Sequence, residues 1–237
     1  VEEKRLSLGI AITASTYRKY ITIHKHLKGF LYHKYEVSDI LFGQVDFAFL
    51  EAFNYYLKVC LQLSACTVNN YMKIFHSLIM RAMNKGLVFQ DPFFEYEYEQ
   101  VTVRRKWLSV DEIKALMKAE LKHPTEIFVR DMFIFSTFTG IAYADLENLT
   151  YDNIGRQEDG TLCVTLNRQK TGSLAFIPLT DIPLRIMKKY QDTPFAGTGG
   201  KVFKMCTLTN ADILLKKIAK KAGIDKRLTY HMSRHSF

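Results

Sequence analysis

The chain has 237 residues, 48% of them hydrophobic and 24% charged, the make-up of an ordinary globular protein with room for one large domain or two small ones. Its formal charge of +9 and pI near 9.3 favour a polyanionic partner, because each Lys or Arg set against a phosphate releases a condensed counterion. No apolar run approaches the roughly 20 residues that span a bilayer, and the start VEEKRLSLGI lacks the pattern of a secretory signal, so no membrane role is expected. The four cysteines, Cys60, Cys66, Cys163 and Cys206, have no metal-ligand spacing. They read as reduced thiols of a cytosolic protein rather than as a zinc site.

Helical periodicity fills the first third. From about Thr13 to Tyr35, Tyr17, Tyr20, Ile21, Leu27, Phe30 and Leu31 recur at helical spacing, with Ser15 or Thr16 as the cap. A second helix is predicted over about Phe47–Leu63. A third begins near Thr67 and ends at Asn84-Lys85-Gly86, a basic last turn followed by a residue suited to a left-handed cap. Residues 89–106 hold a proline, alternating aromatics and acids, and the basic triplet Arg104-Arg105-Lys106, and are expected to form an extended linker. The expected domains are therefore 1–88, helical, and 107–237.

The second domain opens on Ser109-Val110-Asp111-Glu112, a capping box for a helix to about Leu121. Helices follow at about Thr125–Thr139, broken by Gly140, and Tyr143–Leu149. TLCVTLNRQ (161–169) and LAFIPL (174–179) predict a β-hairpin around Lys170-Thr171-Gly172-Ser173. Two more helices are expected at about 183–190 and 210–222, followed by LTYHMSRHSF.

Helices, a hairpin with a lysine in its turn and a late His-x-x-Arg, in this order, resemble the tyrosine recombinases, the phage-integrase type of DNA strand-transfer enzyme. His231-Met232-Ser233-Arg234-His235-Ser236-Phe237 is similar to that family's H-x-x-R-H-[ST]-F box. Thr139-Gly140-Ile141-Ala142-Tyr143-Ala144-Asp145-Leu146 resembles its T-G-x-R-x-x-E-L turn. The likeness spans the whole chain. It implies a mainly α fold with a small antiparallel sheet: a helical, SAM-like core-binding domain followed by an α+β catalytic domain. It also implies cutting and rejoining of double-stranded DNA through a 3′-phosphotyrosine, with the bond energy kept in the covalent link, so that no cofactor or metal is expected. Arginines, a lysine and histidines suit this work because charge builds on the phosphate oxygens and the leaving oxygen needs a proton.

Carried over on that resemblance, Arg234 clamps the phosphate. His231 hydrogen-bonds a phosphate oxygen or acts on the tyrosine's proton, and Lys170 protonates the departing 5′-oxygen. Ala142 stands where the family has its first arginine. Arg168, two residues from Lys170 on the same strand face if the strand continues to the turn, is the preferred replacement. Arg130 is the rival, although it lies roughly 18 Å from Ala142 along a helix. Some integrases of conjugative elements also lack this arginine. For DNA contacts, Lys73, His76 and Arg81 lie off the apolar stripe of the third helix, and Arg104, Arg105 and Lys106 follow in the linker.

The chain starts without methionine, and none of its 13 tyrosines follows Arg234, so it is expected to be a C-terminally truncated piece, inactive in cleavage until its nucleophilic tyrosine is supplied. The full-length protein is expected to act as a homotetramer on DNA in the bacterial cytoplasm, associated with the nucleoid, and this piece to be a monomer in solution. A DNA-binding protein that kept the recombinase fold and lost catalysis, and a type IB topoisomerase, are the alternatives.

Overall fold

The computed structural model describes residues 2–102 and 106–236, except for the side chain of Glu3. Arg104 and Arg105, expected to contact DNA, lie outside the described residues. The chain divides into two compact units, Val1–Val103 and Arg104–Phe237.

The first unit is helical. After a short α1 (Glu2–Leu6) come α2 (Ala14–Tyr35), α3 (Phe47–Tyr55) and α4 (Ala65–Asn84). Thr13, rather than Ser15 or Thr16, caps α2, accepting the Thr16 N–H at 3.2 Å. Ser64 caps α4, which therefore starts two residues before the expected Thr67. The predicted second helix is interrupted: α3 passes into a π-helical turn, Tyr56–Cys60, that ends before Gln62, whose φ is +50°. The core is aromatic, with Phe30 5.2 Å from Phe49 and 5.3 Å from Phe53, and Phe53 5.8 Å from Phe75, ring centre to ring centre.

The expected linker is only partly one. Residues 91–99 turn back on the helices: Phe93 is buried 5.6 Å from Phe75, Asn54 donates to the Tyr96 hydroxyl at 2.8 Å, and Lys58 pairs with Glu99. The alternation of aromatic and acid is the reason. It sends Tyr96 and Tyr98 inward and Glu95, Glu97 and Glu99 to water, the period of an extended segment lying on a surface.

The second unit is built around α6 (Pro124–Thr139), in which Phe128, Val129, Met132, Phe133, Ile134 and Phe135 are all buried. A helix apolar on every side belongs in the middle of a fold. Around it lie α5 (Val110–Lys118), α8 (Asp181–Tyr190), α9 (Leu208–Lys221) and a final 3-10 turn, Tyr230–His235. The capping box is formed: Ser109 and Glu112 each accept the other's backbone N–H, at 3.2 and 2.7 Å. Between α7 (Tyr143–Glu147) and α8 stands an antiparallel sheet of β1 (Ile154–Arg156), β2 (Leu162–Asn167) and β3 (Leu174–Pro178), in that order. The hairpin pairs Val164 with Ile177 and Leu166 with Ala175 on its buried face. β1, three residues long, is too short to have left a periodic signal.

Candidate active site

Two turns carry the expected catalytic cations. The first is the terminal 3-10 turn. Tyr230 is buried and its hydroxyl donates to the Met132 carbonyl at 2.7 Å while bonded to Ser136 Oγ at 2.9 Å, both on α6. Its backbone N–H donates to Asp212 Oδ1 on α9 at 2.7 Å. Ser233 is buried too and its hydroxyl donates to the Tyr230 carbonyl, and Met232 completes the inner side. With about three residues per turn, His231 and Arg234 stack one above the other on the outer side. Both are exposed. The His231 ring meets the His235 ring edge to face at 4.7 Å, and the Arg234 guanidinium makes no hydrogen bond or ion pair among the described residues.

The T-G turn packs against this one. Gly140 ends α6 with φ +65°, a conformation that costs a side-chain-bearing residue about 1 kcal/mol or more. Ala142 then starts α7, and the Tyr143 ring stands edge-on to Tyr230 at 4.8 Å. Ala142, Asp212, His231 and Arg234 line one small cavity of about 110 Å³. The two tyrosines that share its wall, Tyr143 and Tyr230, are engaged within the fold. Burial pushes both phenols far above the ordinary tyrosine range, and the Tyr143 hydroxyl is donated to the Cys206 carbonyl.

The second turn is the hairpin. β2 ends at Asn167, so Arg168 and Lys170 do not lie on a strand, and the argument that placed them on one face does not hold. They sit instead in a turn closed by the Arg168 N–H on the Ser173 carbonyl at 2.9 Å and the Gly172 N–H on the Arg168 carbonyl at 2.8 Å, with Gly172 at φ +67°. Lys170 is exposed, Arg168 half-buried, and neither side chain has a hydrogen bond or ion pair among the described residues. Neither lines the cavity of Arg234. The hairpin turn is tied to α7 by Asp145, one helical turn along from Ala142, whose carboxylate accepts the Gln169 N–H at 2.9 Å.

Arg130, the rival for the missing arginine, is committed elsewhere. Its guanidinium pairs with buried Asp131 at 2.9 Å and donates to the Met117 and Ala119 carbonyls at the end of α5. Asp131 also takes Lys189 and the Tyr190 hydroxyl, at 2.6 and 2.8 Å.

Among the expected DNA contacts, Lys73, Arg81 and Lys106 are exposed, with the Lys73 ammonium 5.4 Å from the Tyr98 ring. His76 is not. It is half-buried, stacked on Phe93 at 4.5 Å, and bonded to Asp91 at 3.0 Å, so it is part of the fold of residues 91–99. Asp212 and Tyr230, which hold the terminal turn, left no motif in the sequence, because a bond between residues 18 apart has no local signature. Among the described residues, no group of three His, Cys, Asp or Glu side chains could hold a metal, and no helix is long and apolar enough to cross a membrane.

Comparison with known proteins agrees with this geometry. No curated protein sequence matches the chain. Among solved structures, a lambda integrase tetramer bound to a Holliday junction is similar with a TM-score of 0.76 at 18% identity, over 99% of this chain and 66% of that one. A lambda integrase(75-356) dimer bound to a core site gives 0.74 at 18%, over 99% and 82%. The Tn1549 transposon integrase (aa 82-397) with circular intermediate DNA gives 0.74 at 16%, over 99% and 83%. At these identities the likeness is one of fold. The model of the phage integrase SAM-like domain matches residues 1–98, and that of the phage integrase family matches residues 106–237. With more than half its length under that second model, and with the fold to go with it, the chain belongs to the phage integrase family of tyrosine recombinases.

Proposed function

We propose that residues 1–237 are the DNA-gripping and phosphate-activating part of a site-specific recombinase, working on double-stranded DNA in the bacterial cytoplasm with four copies joined over paired sites. The reading is carried by one observation: His231 and Arg234 stand outward on the same side of a turn pinned from within, beside the T-G turn, in a chain of the phage integrase family. Arg234 holds the two non-bridging phosphate oxygens with its planar fork, and His231 hydrogen-bonds a phosphate oxygen or acts on the tyrosine's proton. Lys170, on a turn that Asp145 ties to α7, moves the proton of the 5′-oxygen. Arg168 is the nearest unengaged guanidinium in sequence to Lys170, and it takes the place left at Ala142. Lys73, Arg81, Arg104, Arg105 and Lys106 follow the phosphate backbone. The solved DNA complexes of lambda and Tn1549 integrases support the partner.

The test uses the rejoining half of the reaction, which needs no tyrosine. A duplex site, selected by this protein from a random pool, is nicked so that one strand ends in a 3′-p-nitrophenyl phosphate beside a free 5′-hydroxyl. The 5′-oxygen attacks phosphorus, the aryl oxygen leaves as p-nitrophenolate, and the hydroxyl proton passes to Lys170. Release of p-nitrophenol together with strand sealing is the expected outcome. Tight, sequence-selective binding with neither product would replace this reading by the second one, a recombinase-fold binding protein without catalysis, which Ala142 favours.

A further inference from the structure

On a chain of net charge +9, one cavity of the first unit is lined by acids and by no base. It lies between the 3-10 turn Phe42–Gln44, the start of α3 and the segment after α4. Its volume of about 580 Å³ is that of a small-molecule site. Asp46, Asp91 and Glu95 stand in its wall, with no Lys, Arg or His among the lining residues. Asp46 takes the Phe49 N–H at 2.7 Å as the cap of α3, and Asp91 takes the Phe93 N–H at 2.9 Å and meets His76 at 3.0 Å. Glu95 is exposed and has no hydrogen bond or ion pair among the described residues.

The rest of the wall is largely aromatic. Phe42, Phe47, Phe89 and Phe94 line the same cavity, and all four are exposed, the last two at 94% and 86%. Rings left this open do not hold the fold together, and a group of them around one cavity marks the place of a ligand. A ring face attracts a cation, and a carboxylate holds an ammonium group by charge-assisted hydrogen bonds. Phosphate is refused on both counts, so DNA does not fill the cavity. Magnesium and calcium ions want a cage of oxygens, which phenylalanine walls do not supply. A flexible chain of methylenes carrying two or three ammonium groups suits all of the lining: carbon against the rings, nitrogen against the acids. We infer that this cavity binds an aliphatic polyammonium ion, a polyamine, with Asp46, Asp91 and Glu95 at its nitrogens. The inference does not depend on the strand-transfer chemistry.

Magnitude says what kind of binding this is. A ring–ammonium contact or an ion pair at an exposed site changes a dissociation constant by a factor of about 2–5. Several together make a site of moderate affinity, in which no single group is decisive. The ligand would touch the start of α3 and residues 87–95 at once, so an occupied cavity holds that segment against the helices.

The whole chain, free of DNA, is titrated with spermidine in a calorimeter at about 0.15 M salt, where loose counterion effects are screened. One ion per chain is expected to bind, saturating below about 1 mM, with amide exchange slowed at residues 42–47 and 87–95. Phe89→Ser with Phe94→Ser weakens binding by about tenfold and Glu95→Gln by about threefold. Both leave the unfolding midpoint in place, since the positions are exposed. Magnesium ion competes at least about tenfold less well than spermidine, for want of an oxygen cage. Absence of saturable binding overturns the inference, as does slowed exchange confined to other residues. So does a serine variant that binds like the wild type, or magnesium that displaces spermidine at equal concentration, the mark of a counterion cloud. A tetralysine peptide that binds more than about tenfold more tightly than spermidine overturns the choice of ligand, making the cavity a seat for a basic peptide.

Discussion

The turn with His231 and Arg234 is held from inside, and the turn with Lys170 is held at one edge. Under the first lie a buried phenol with partners on α6 and a backbone bond to α9. Under the second lies one carboxylate accepting one N–H. The difference matches the chemistry proposed for each. Groups that stabilise charge on phosphate oxygens act by standing still in the right place, since a donor that must reorganise gives back much of its benefit. A lysine that gives and later takes a proton must come and go, and a loosely tied turn allows that.

Breaking the stronger anchor has the largest expected effect. Tyr230→Ala removes a buried ring and leaves the Ser136 hydroxyl and the Met132 carbonyl without their partner, so stability falls by about 3–5 kcal/mol in denaturant titration. An unchanged midpoint would show that the turn is held by something else. Next come the cations themselves. Arg234→Ala and Lys170→Ala each slow strand sealing by about 10²–10³, while unfolding moves by no more than about 0.5 kcal/mol because both side chains are exposed. If either loss came with unfolding of the domain, the residue would be structural. Asp145→Ala sharpens the comparison further: sealing slows by about tenfold, with faster amide exchange at residues 168–172 and no change at 230–235, as expected for loss of one hydrogen bond to a charged group. Equal effects at both turns would mean that they are one rigid piece. The smallest effect is expected at Lys73→Ala, which leaves sealing at saturating DNA unchanged and flattens the salt dependence of binding by about one unit.

How far these contrasts could be read in advance depended on the range of the interaction. The capping box at Ser109 and Glu112, the Gly140 stop and the hairpin around Gly172 are written in neighbouring residues, and each formed where expected. The His231–Arg234 pair was legible because its motif is compact. The return of residues 91–99 was not, since the aromatic–acid alternation reads equally as a free extended linker until a surface for Phe93 is known. That surface also engages His76, through Asp91 and the Phe93 ring. Arg168 was placed by a strand period, but the turn had already begun after Asn167. That Arg130 reaches the Met117 and Ala119 carbonyls, at the end of another helix, left no mark in the sequence.

The tight winding of residues 230–235 has a geometric consequence. Were the segment to relax into an α-helix, Arg234 would swing about 60° away from His231, and His235 would come to within about 40° of it. His231 stays the nearer imidazole in either winding, so the gauge of this last coil sets how closely it lines up with the guanidinium. The Leu108 N–H on Ser236 Oγ, at 2.8 Å, joins the entry of the catalytic unit to the far end of that coil and ties its pitch to a residue 128 positions earlier.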